Sequence, residues 1–169
     1  PYSQGLSATG IGENTLISLS TGTHNTAFGK DTLRDITTGS YNVGVGNFVM
    51  KDLLTGNNNT AMGYAALDAT TECSDNTAIG FFAGLNITSG GVNTLVGSYA
   101  GYSLNTGASN TLIGHGAGDS MTDGSSNVVI GRLAYQAGSN NNNTVIGMQA
   151  GYNANCTNVT LVGYKAGYN

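Results

Sequence analysis

The chain has 169 residues and a formal net charge of −4 at pH 7, and only 8% of its residues are charged, against roughly 25% in an ordinary soluble domain. Because it has no basic cluster, it does not suit nucleic acid or an anionic membrane surface. No apolar run reaches the ~18–20 residues of a transmembrane helix, so we expect no membrane insertion by this segment.

A five-residue motif ending in glycine recurs along the chain, with Asn76-Thr77-Ala78-Ile79-Gly80 as one copy. The closing glycines lie at positions 12, 29, 46, 63, 80, 97, 114, 131, 147 and 163, so the step is 17 residues seven times and then 16 twice. A fixed short period is the sequence signature of a solenoid. We therefore predict a lead-in over residues 1–7 and one all-β domain over residues 8–169, a parallel β-solenoid (β-roll) of about ten coils and a segment of a longer fibre.

Each motif predicts a short strand with two neighbouring apolar residues before the glycine. Neighbours on a strand point to opposite faces, so one column fills the inside of the coil and the other needs a cover outside it. The column two residues before the glycine grows larger toward the C-terminus, and we expect its later members to pack between chains: Leu95, Leu112, Val129, Val145 and Leu161.

The segment after each glycine predicts a second short strand and then a turn. A column of small residues, such as Ala83 and Ala100, suits a narrow interior, and an apolar column follows four residues later. Glycines recur ten residues after the motif glycine, where we expect backbone angles that other residues avoid. The motif asparagines, such as Asn76, are expected to bond in a ladder from coil to coil.

A single roll of this thickness is expected to be marginally stable. Each coil offers about four apolar side chains and its backbone ladder bonds against the conformational entropy lost by ordering all of its residues, so the balance leaves a gap. Three identical rolls that share their outer apolar columns would close this gap, so we expect a homotrimer.

These motifs resemble the head repeats of YadA-like trimeric autotransporter adhesins and the β-roll repeats of phage tail fibres. The resemblance rests on 76–80 (NTAIG), 93–97 (NTLVG) and 110–114 (NTLIG), each followed by two residues and then Ala-Gly. It covers residues 8–169 and implies a left-handed roll with three chains side by side. The chain departs from the adhesin heads in its longer period and in showing no neck, stalk or membrane anchor, which leaves a bacterial or a phage origin open.

The residue types of catalysis and metal binding are scattered. His24 and His115 lie in different columns, over five coils apart, and Asp31 and Asp35 are not set as a glycosidase pair. Cys73 and Cys156 lie five coils apart, about 24 Å at one strand spacing per coil, too far for a disulfide within the chain. A bridge between chains stays open. We expect no enzyme activity, no cofactor and no metal site.

Aromatic residues cluster just after the motif glycines of successive coils. We predict that they form a surface for a host cell-surface glycan or protein receptor, since amphipathic rings suit both; packing between neighbouring rolls is the alternative. The predicted binding residues are Phe48, Tyr64, Phe81, Phe82, Tyr99 and Tyr102, and Tyr152 and Tyr168 continue the column of Tyr102.

The sequence thus favours a non-enzymatic, structural attachment segment of a trimeric surface fibre, a phage tail fibre or a bacterial adhesin, located outside the cell or on a virion surface. Two alternatives remain. One is a self-assembling extracellular filament subunit, since open β-ends add further copies. The other is an ice-binding solenoid, suggested by the threonine column at Thr60, Thr77, Thr94 and Thr111, which holds one threonine per coil and is interrupted by valines.

Overall fold

The computed structural model describes residues 7–168 and contains ten short strands and, in that span, no helix. Residues 1–6 of the predicted lead-in lie outside the described part. The strands are β1 (Thr9–Ile11), β2 (Thr26–Phe28), β3 (Val43–Val45), β4 (Thr60–Met62), β5 (Thr77–Ile79), β6 (Thr94–Val96), β7 (Thr111–Ile113), β8 (Val128–Ile130), β9 (Thr144–Ile146) and β10 (Thr160–Val162).

The ten strands form one parallel sheet in the order of the sequence, from β1 to β10. Each motif pairs with the next in register, so that Thr77 lies beside Thr94 and Ile79 beside Val96. Ten strands joined this way enclose about nine turns of a solenoid. The predicted all-β parallel solenoid is confirmed.

The prediction of two strands per coil is wrong, because the described chain forms one strand per coil. The segment after each glycine instead contains two residues in the left-handed region, such as Ala65 (φ 51°) and Leu67 (φ 54°). Those angles bend the backbone and cannot continue a strand. Consecutive coils still bond to each other there, as in the bond from Leu67 N–H to Ala83 O at 3.1 Å.

The middle residue of each strand points into the coil, which corrects the predicted outward column. Leu95, Leu112, Val129 and Val145 are 0% exposed within the single chain, and Leu161 is half-buried at the last coil. The physical reason lies two residues earlier, in the motif asparagine. Alternation puts it on the same face as the middle residue, and its amide finds its bonding partners only inside the coil.

The outward column is the residue directly before each glycine. Met62 is 48% exposed and Ile79 is 40% exposed, and Val96 beside them is half-buried. The first residue of each strand, a threonine or a valine, faces the same way. We call these two columns of the ten strands the sheet face.

The remaining predicted interior columns are confirmed. The small residues Ala83 and Ala100 are fully buried, and so are Ile87 and Leu104 of the apolar column that follows. Three columns of side chains therefore fill the interior of the solenoid: the middle residue of each strand, the small residue three positions after the motif glycine, and the apolar residue seven positions after it.

Eight asparagines form the predicted ladder through this interior. The side-chain oxygen of Asn59 accepts the backbone N–H of Asn76 at 3.0 Å and its Nδ2 at 3.2 Å, while the same Nδ2 donates to Gly90 O at 3.1 Å. The pattern runs from Asn25 to Asn143. Each amide thereby ties three successive coils together.

The ladder ends in a small polar cluster inside the last coils. Asn143 Nδ2 donates to the Tyr135 hydroxyl at 2.9 Å and to Cys156 O at 2.8 Å, and the Tyr135 hydroxyl donates to Cys156 O at 2.8 Å. Burial raises the pKa of Tyr135 to about 12. This phenol is therefore a neutral hydrogen-bonding group of the core.

Two glycine columns allow the coils to approach each other closely. Gly80 closes its motif at φ 144°, and a Cβ there would lie 2.4 Å from Gly97 O of the next coil. In the turn column a Cβ on Gly56 would lie 2.0 Å from Cys73 O, although this glycine is not in the left-handed region. At the turn glycines it is therefore close contact between coils that favours glycine, and not the unusual backbone angle that the sequence predicts; Cys73 replaces glycine in one coil of this column.

Candidate binding surface

Seven ring-bearing residues form one continuous cluster on the segment that follows the motif glycines. We call this cluster the aromatic strip; it consists of Phe48, Tyr64, Phe81, Phe82, Tyr99, Tyr102 and His115. All six residues predicted from the sequence belong to it. Because the coils stack in register, residues 17 apart in the sequence come to lie side by side along the solenoid axis.

The rings contact each other from coil to coil. Tyr64 and Phe81 are stacked with centroids 5.5 Å apart and an interplanar angle of 18°. Phe81 and Phe82 lie 4.1 Å apart within one coil, and Phe81 meets Tyr99 of the next coil edge-on at 5.5 Å. Such pairs stabilise by ~0.5–1.5 kcal/mol beyond their buried area.

The two ends of the strip extend the same pattern. Phe48 meets Tyr64 edge-on at 5.6 Å, and Tyr102 lies 5.6 Å from Tyr99. At the far end His115 lies 6.1 Å from Tyr99. The sequence prediction did not include His115 in the strip, although His115 shares a column with Tyr64 and Phe81.

The strip keeps much of its ring surface in solvent. Tyr64 is 43% exposed and Phe81 is 42% exposed, while the remaining phenylalanines and tyrosines of the strip are half-buried. Between residues 47 and 116 the two columns that carry most of the rings hold no Asp, Glu, Lys or Arg. The strip is therefore an uncharged surface that combines ring carbon with phenol hydroxyls.

Three residues of the strip occupy the left-handed backbone region. Phe48 has φ 60°, Phe82 has φ 57° and Tyr99 has φ 59°. Bulky side chains are uncommon there, and the next coil has Gly116 at the same column with φ 63°. The left-handed angle belongs to this position in each described coil, and the other coils place varied side chains there: Asn14, Asp31, Ala65, Leu133, Gln149 and Lys165.

A second aromatic group lies apart from the strip. Tyr152 and Tyr168 stack with centroids 5.3 Å apart, and Lys165 Nζ lies 4.9 Å from the Tyr168 centroid. These two tyrosines share a column with Tyr102, as the sequence predicted, but two coils separate that residue from Tyr152.

The carboxylates of the N-terminal coils are committed to ion pairs and hydrogen bonds. Two hydrogen bonds from Arg34, at 2.9 and 2.6 Å, hold the pKa of Asp35 below its usual range. Asp31 is buried and accepts a hydrogen bond from Asn14 Nδ2 at 2.8 Å. An ionised Asp35 beside an arginine is not suited to act as the general acid of a glycosidase.

Asp68 is a half-buried carboxylate of the same N-terminal charged group. Its Oδ1 lies 3.2 Å from Lys51 Nζ and accepts no hydrogen bond among the described residues. Burial raises the pKa of Asp68, against the opposing effect of Lys51. Both side chains of this ion pair are partly exposed, at 23% and 20%.

The two cysteines are free thiols, in agreement with their predicted separation. Cys73 is 2% exposed, and burial raises its pKa to about 11. Such a thiol is protonated at neutral pH and therefore unreactive. Cys156 is half-buried.

Within residues 7–168 no group of three or more His, Cys, Asp or Glu side chains is placed to hold a metal ion. The same span has no helix with the length and hydropathy needed to cross a membrane. Comparison of the chain with protein-family models, curated proteins and solved structures finds no match.

Proposed function

We propose that this chain is a non-enzymatic attachment segment of a surface fibre in which three copies of a left-handed roll lie side by side. The observation that supports it is the sheet face. Its third-position column runs through all ten strands and is apolar in each: Ile11, Phe28, Val45, Met62, Ile79, Val96, Ile113, Ile130, Ile146 and Val162.

The sheet face is long, narrow and free of charge. Nine strand spacings of ~4.8 Å make it roughly 43 Å long. A contiguous exposed apolar surface of this extent typically marks an interface. The first-position column supplies threonine, whose hydroxyl tolerates either water or a neighbouring chain. In this proposal sister chains therefore pack through the column that includes Ile79 and Ile113. They do not pack through the column predicted from the sequence, which includes Leu95 and Leu112.

Sedimentation of the native chain and of a double variant, Ile79→Asp with Ile113→Asp, tests the assembly. We expect the native chain to sediment as three copies and the variant as a folded single chain, because each interface would bury an unpaired carboxylate. The matched control is Thr38→Asp with Ser89→Asp, two exposed residues of the turns, which is expected to stay trimeric. A native chain that sediments as a well-folded monomer contradicts the trimer.

A second candidate function has a specific observation in its favour. The motif threonines all face outward beside a column of mostly branched aliphatic residues, for instance Thr77 with Ile79 and Thr111 with Ile113. A regular array of this kind also suits an ordered water or ice surface. A thermal-hysteresis assay decides it: activity that is lost in Thr94→Lys would favour the ice-binding solenoid over the fibre.

A further inference from the structure

The aromatic strip repeats the same chemistry at each coil over five successive coils. Phe48, Tyr64, Phe81, Tyr99 and His115 contribute one ring each to five adjacent levels, and neighbouring rings lie 5.5 to 6.1 Å apart. Four strand spacings of ~4.8 Å make this array roughly 19 Å long. A ligand that satisfies the whole array must itself repeat at about one strand spacing.

The strip also offers hydrogen-bonding groups that the described chain leaves unused. The hydroxyls of Tyr64, Tyr99 and Tyr102 make no hydrogen bond to any residue between 7 and 168. The Lys51 ammonium is paired with Asp68 at 3.2 Å and with Asp52 at 3.5 Å. The ligand that fits is therefore uncharged, with apolar patches for the rings and hydroxyls for the phenols.

We propose that the aromatic strip binds a neutral linear glycan that lies along the solenoid axis. This inference rests on the proposed attachment function and names its ligand class. In an extended β-1,4-linked sugar chain, successive rings advance by about one strand spacing, and each ring has a C–H face and a hydroxyl rim. One sugar ring can therefore meet each level of the strip, with its C–H face toward the aromatic side chains.

A protein receptor fits the same surface less well. Its contacts are irregular, with a few dominant anchors, so it gives no reason for at least one ring at each of five successive coils. The strip is built as a repeat, which matches a repeating polymer.

Calorimetric titration of the full chain tests the proposal. The ligands are cello- and chito-oligosaccharides of two to six units. The affinity should rise with each unit up to four or five, where the ligand spans the strip, and then level off. Tyr64→Ala, Phe81→Ala and Tyr99→Ala should each weaken binding of the hexamer roughly three- to tenfold, the loss of one aromatic contact.

Two variants separate the loss of a ring from the loss of structure. Phe81→Leu keeps apolar volume without a ring and should weaken binding as much as Phe81→Ala, with an unchanged melting temperature. Tyr41→Ala removes an exposed tyrosine outside the strip, stacked on His24 at 4.8 Å, and should bind normally. Sedimentation of each variant monitors the assembly.

Three results would overturn the proposal. If affinity does not depend on oligosaccharide length, successive rings of the strip do not bind successive sugar units. Binding that survives in all three alanine variants places the site elsewhere. Failure of every neutral oligosaccharide, while strip variants still abolish attachment to cells, assigns the strip to a protein receptor and leaves the attachment function intact.

Discussion

At the scale of single residues, Thr70 and Cys73 show how two departures from the repeat compensate each other. In other coils these columns hold pairs such as Leu53 with Gly56 and Leu104 with Gly107. A Cβ on those glycines would lie 2.6 and 2.4 Å from the leucine Cδ1. Thr70 is shorter and its hydroxyl donates to Leu67 O at 2.6 Å, so the Cys73 side chain fits inside.

We expect Thr70→Leu to destabilise the chain by about 1–3 kcal/mol, because the leucine would overlap the Cys73 side chain. Cys73→Gly alone should cost about 1–2 kcal/mol, since it removes a buried side chain beside the threonine and frees the backbone. The double variant restores the arrangement of the other coils and should recover most of the loss. Urea unfolding of the four proteins measures the coupling.

Simple additivity of the two changes would contradict this account. It would mean that Thr70 and Cys73 do not share one volume in the core. Thr71→Leu, in which the neighbouring half-buried position changes, provides the control for adding a leucine without overlap at Cys73.

At the scale of the element, the asparagine ladder links the strands more firmly than three-residue strands do by themselves. Asn76 Oδ1 accepts both the backbone N–H and the Nδ2 of Asn93, at 3.0 and 3.1 Å. Its own Nδ2 donates to Asn59 Oδ1 and to Gly90 O. Since all these atoms are buried, each lost partner leaves a polar group without water.

We expect Asn76→Ala to lower the free energy of unfolding by about 3 kcal/mol or more, because two buried donors of Asn93 lose their acceptor. Asn76→Asp should be at least as damaging at neutral pH, since a carboxylate would face Asn59 Oδ1 and Gly90 O. Burial raises the pKa of that carboxyl in the folded state. Stability should therefore be highest below about pH 4 and fall as the pH rises.

The matched control is Asn47→Asp at an exposed position. Asn47 Oδ1 accepts the Lys30 N–H at 3.1 Å, a role that a carboxylate keeps, so this variant should unfold much like the native chain. Chemical unfolding between pH 3 and pH 8 compares the two. Equal stability of the two aspartate variants at pH 7 would contradict a buried ladder.

At the scale of the whole molecule, the position that carries the large core side chains changes once along the solenoid, from one column to another. In the N-terminal coils they stand four residues after the motif glycine: Leu16, Leu33, Met50 and Leu67. From Leu95 onward they lie in the middle of the strand. The column four residues after the motif glycine then holds glycine in each coil except at Tyr135. Gly84 marks the change, since a Cβ there would lie 2.9 Å from Leu67 Cδ2 and 2.6 Å from Leu95 Cδ1.

We expect that two substitutions can shift this change of column by one coil toward the C-terminus. Gly84→Leu alone should overpack the core against Leu95 and destabilise by about 1–3 kcal/mol. Leu95→Ala alone should leave a cavity and cost about 2–5 kcal/mol. Gly84→Leu with Leu95→Ala continues the N-terminal arrangement, because Leu67 already adopts the same left-handed backbone at φ 54°.

The double variant should therefore be more stable than Leu95→Ala, as measured by denaturant unfolding. If the loss of unfolding free energy in the double variant equals the sum of the two single losses, side chains at positions 84 and 95 do not fill the same space. Gly116→Leu is the comparison, because it also places leucine at a left-handed glycine, but its Cβ would lie 2.7 Å from Cδ2 of the half-buried Leu133 rather than against the leucines of the core.

The candidate site was predictable to the extent that it follows the repeat. Tyr64 and Phe81 are 17 residues apart, so stacking in register is enough to bring their rings together. The contact of Phe82 with Tyr102 at 6.1 Å joins two different columns, however, and requires the bend of the segment between them. The place of His115 in the strip was equally available from the period.

By itself, the sequence determined the period, the register and which residue types share a column, because ten near-identical motifs can satisfy their backbone bonds by lying on one another. Only the tertiary structure decided which face of each strand is the inside. Alternation makes Thr77 and Ile79 share one face and Ala78 the other, but both faces are compatible with a strand. The bend of the left-handed residues after each glycine and the buried asparagine amides turn the middle residue inward, and leave the isoleucines to face whatever covers the sheet.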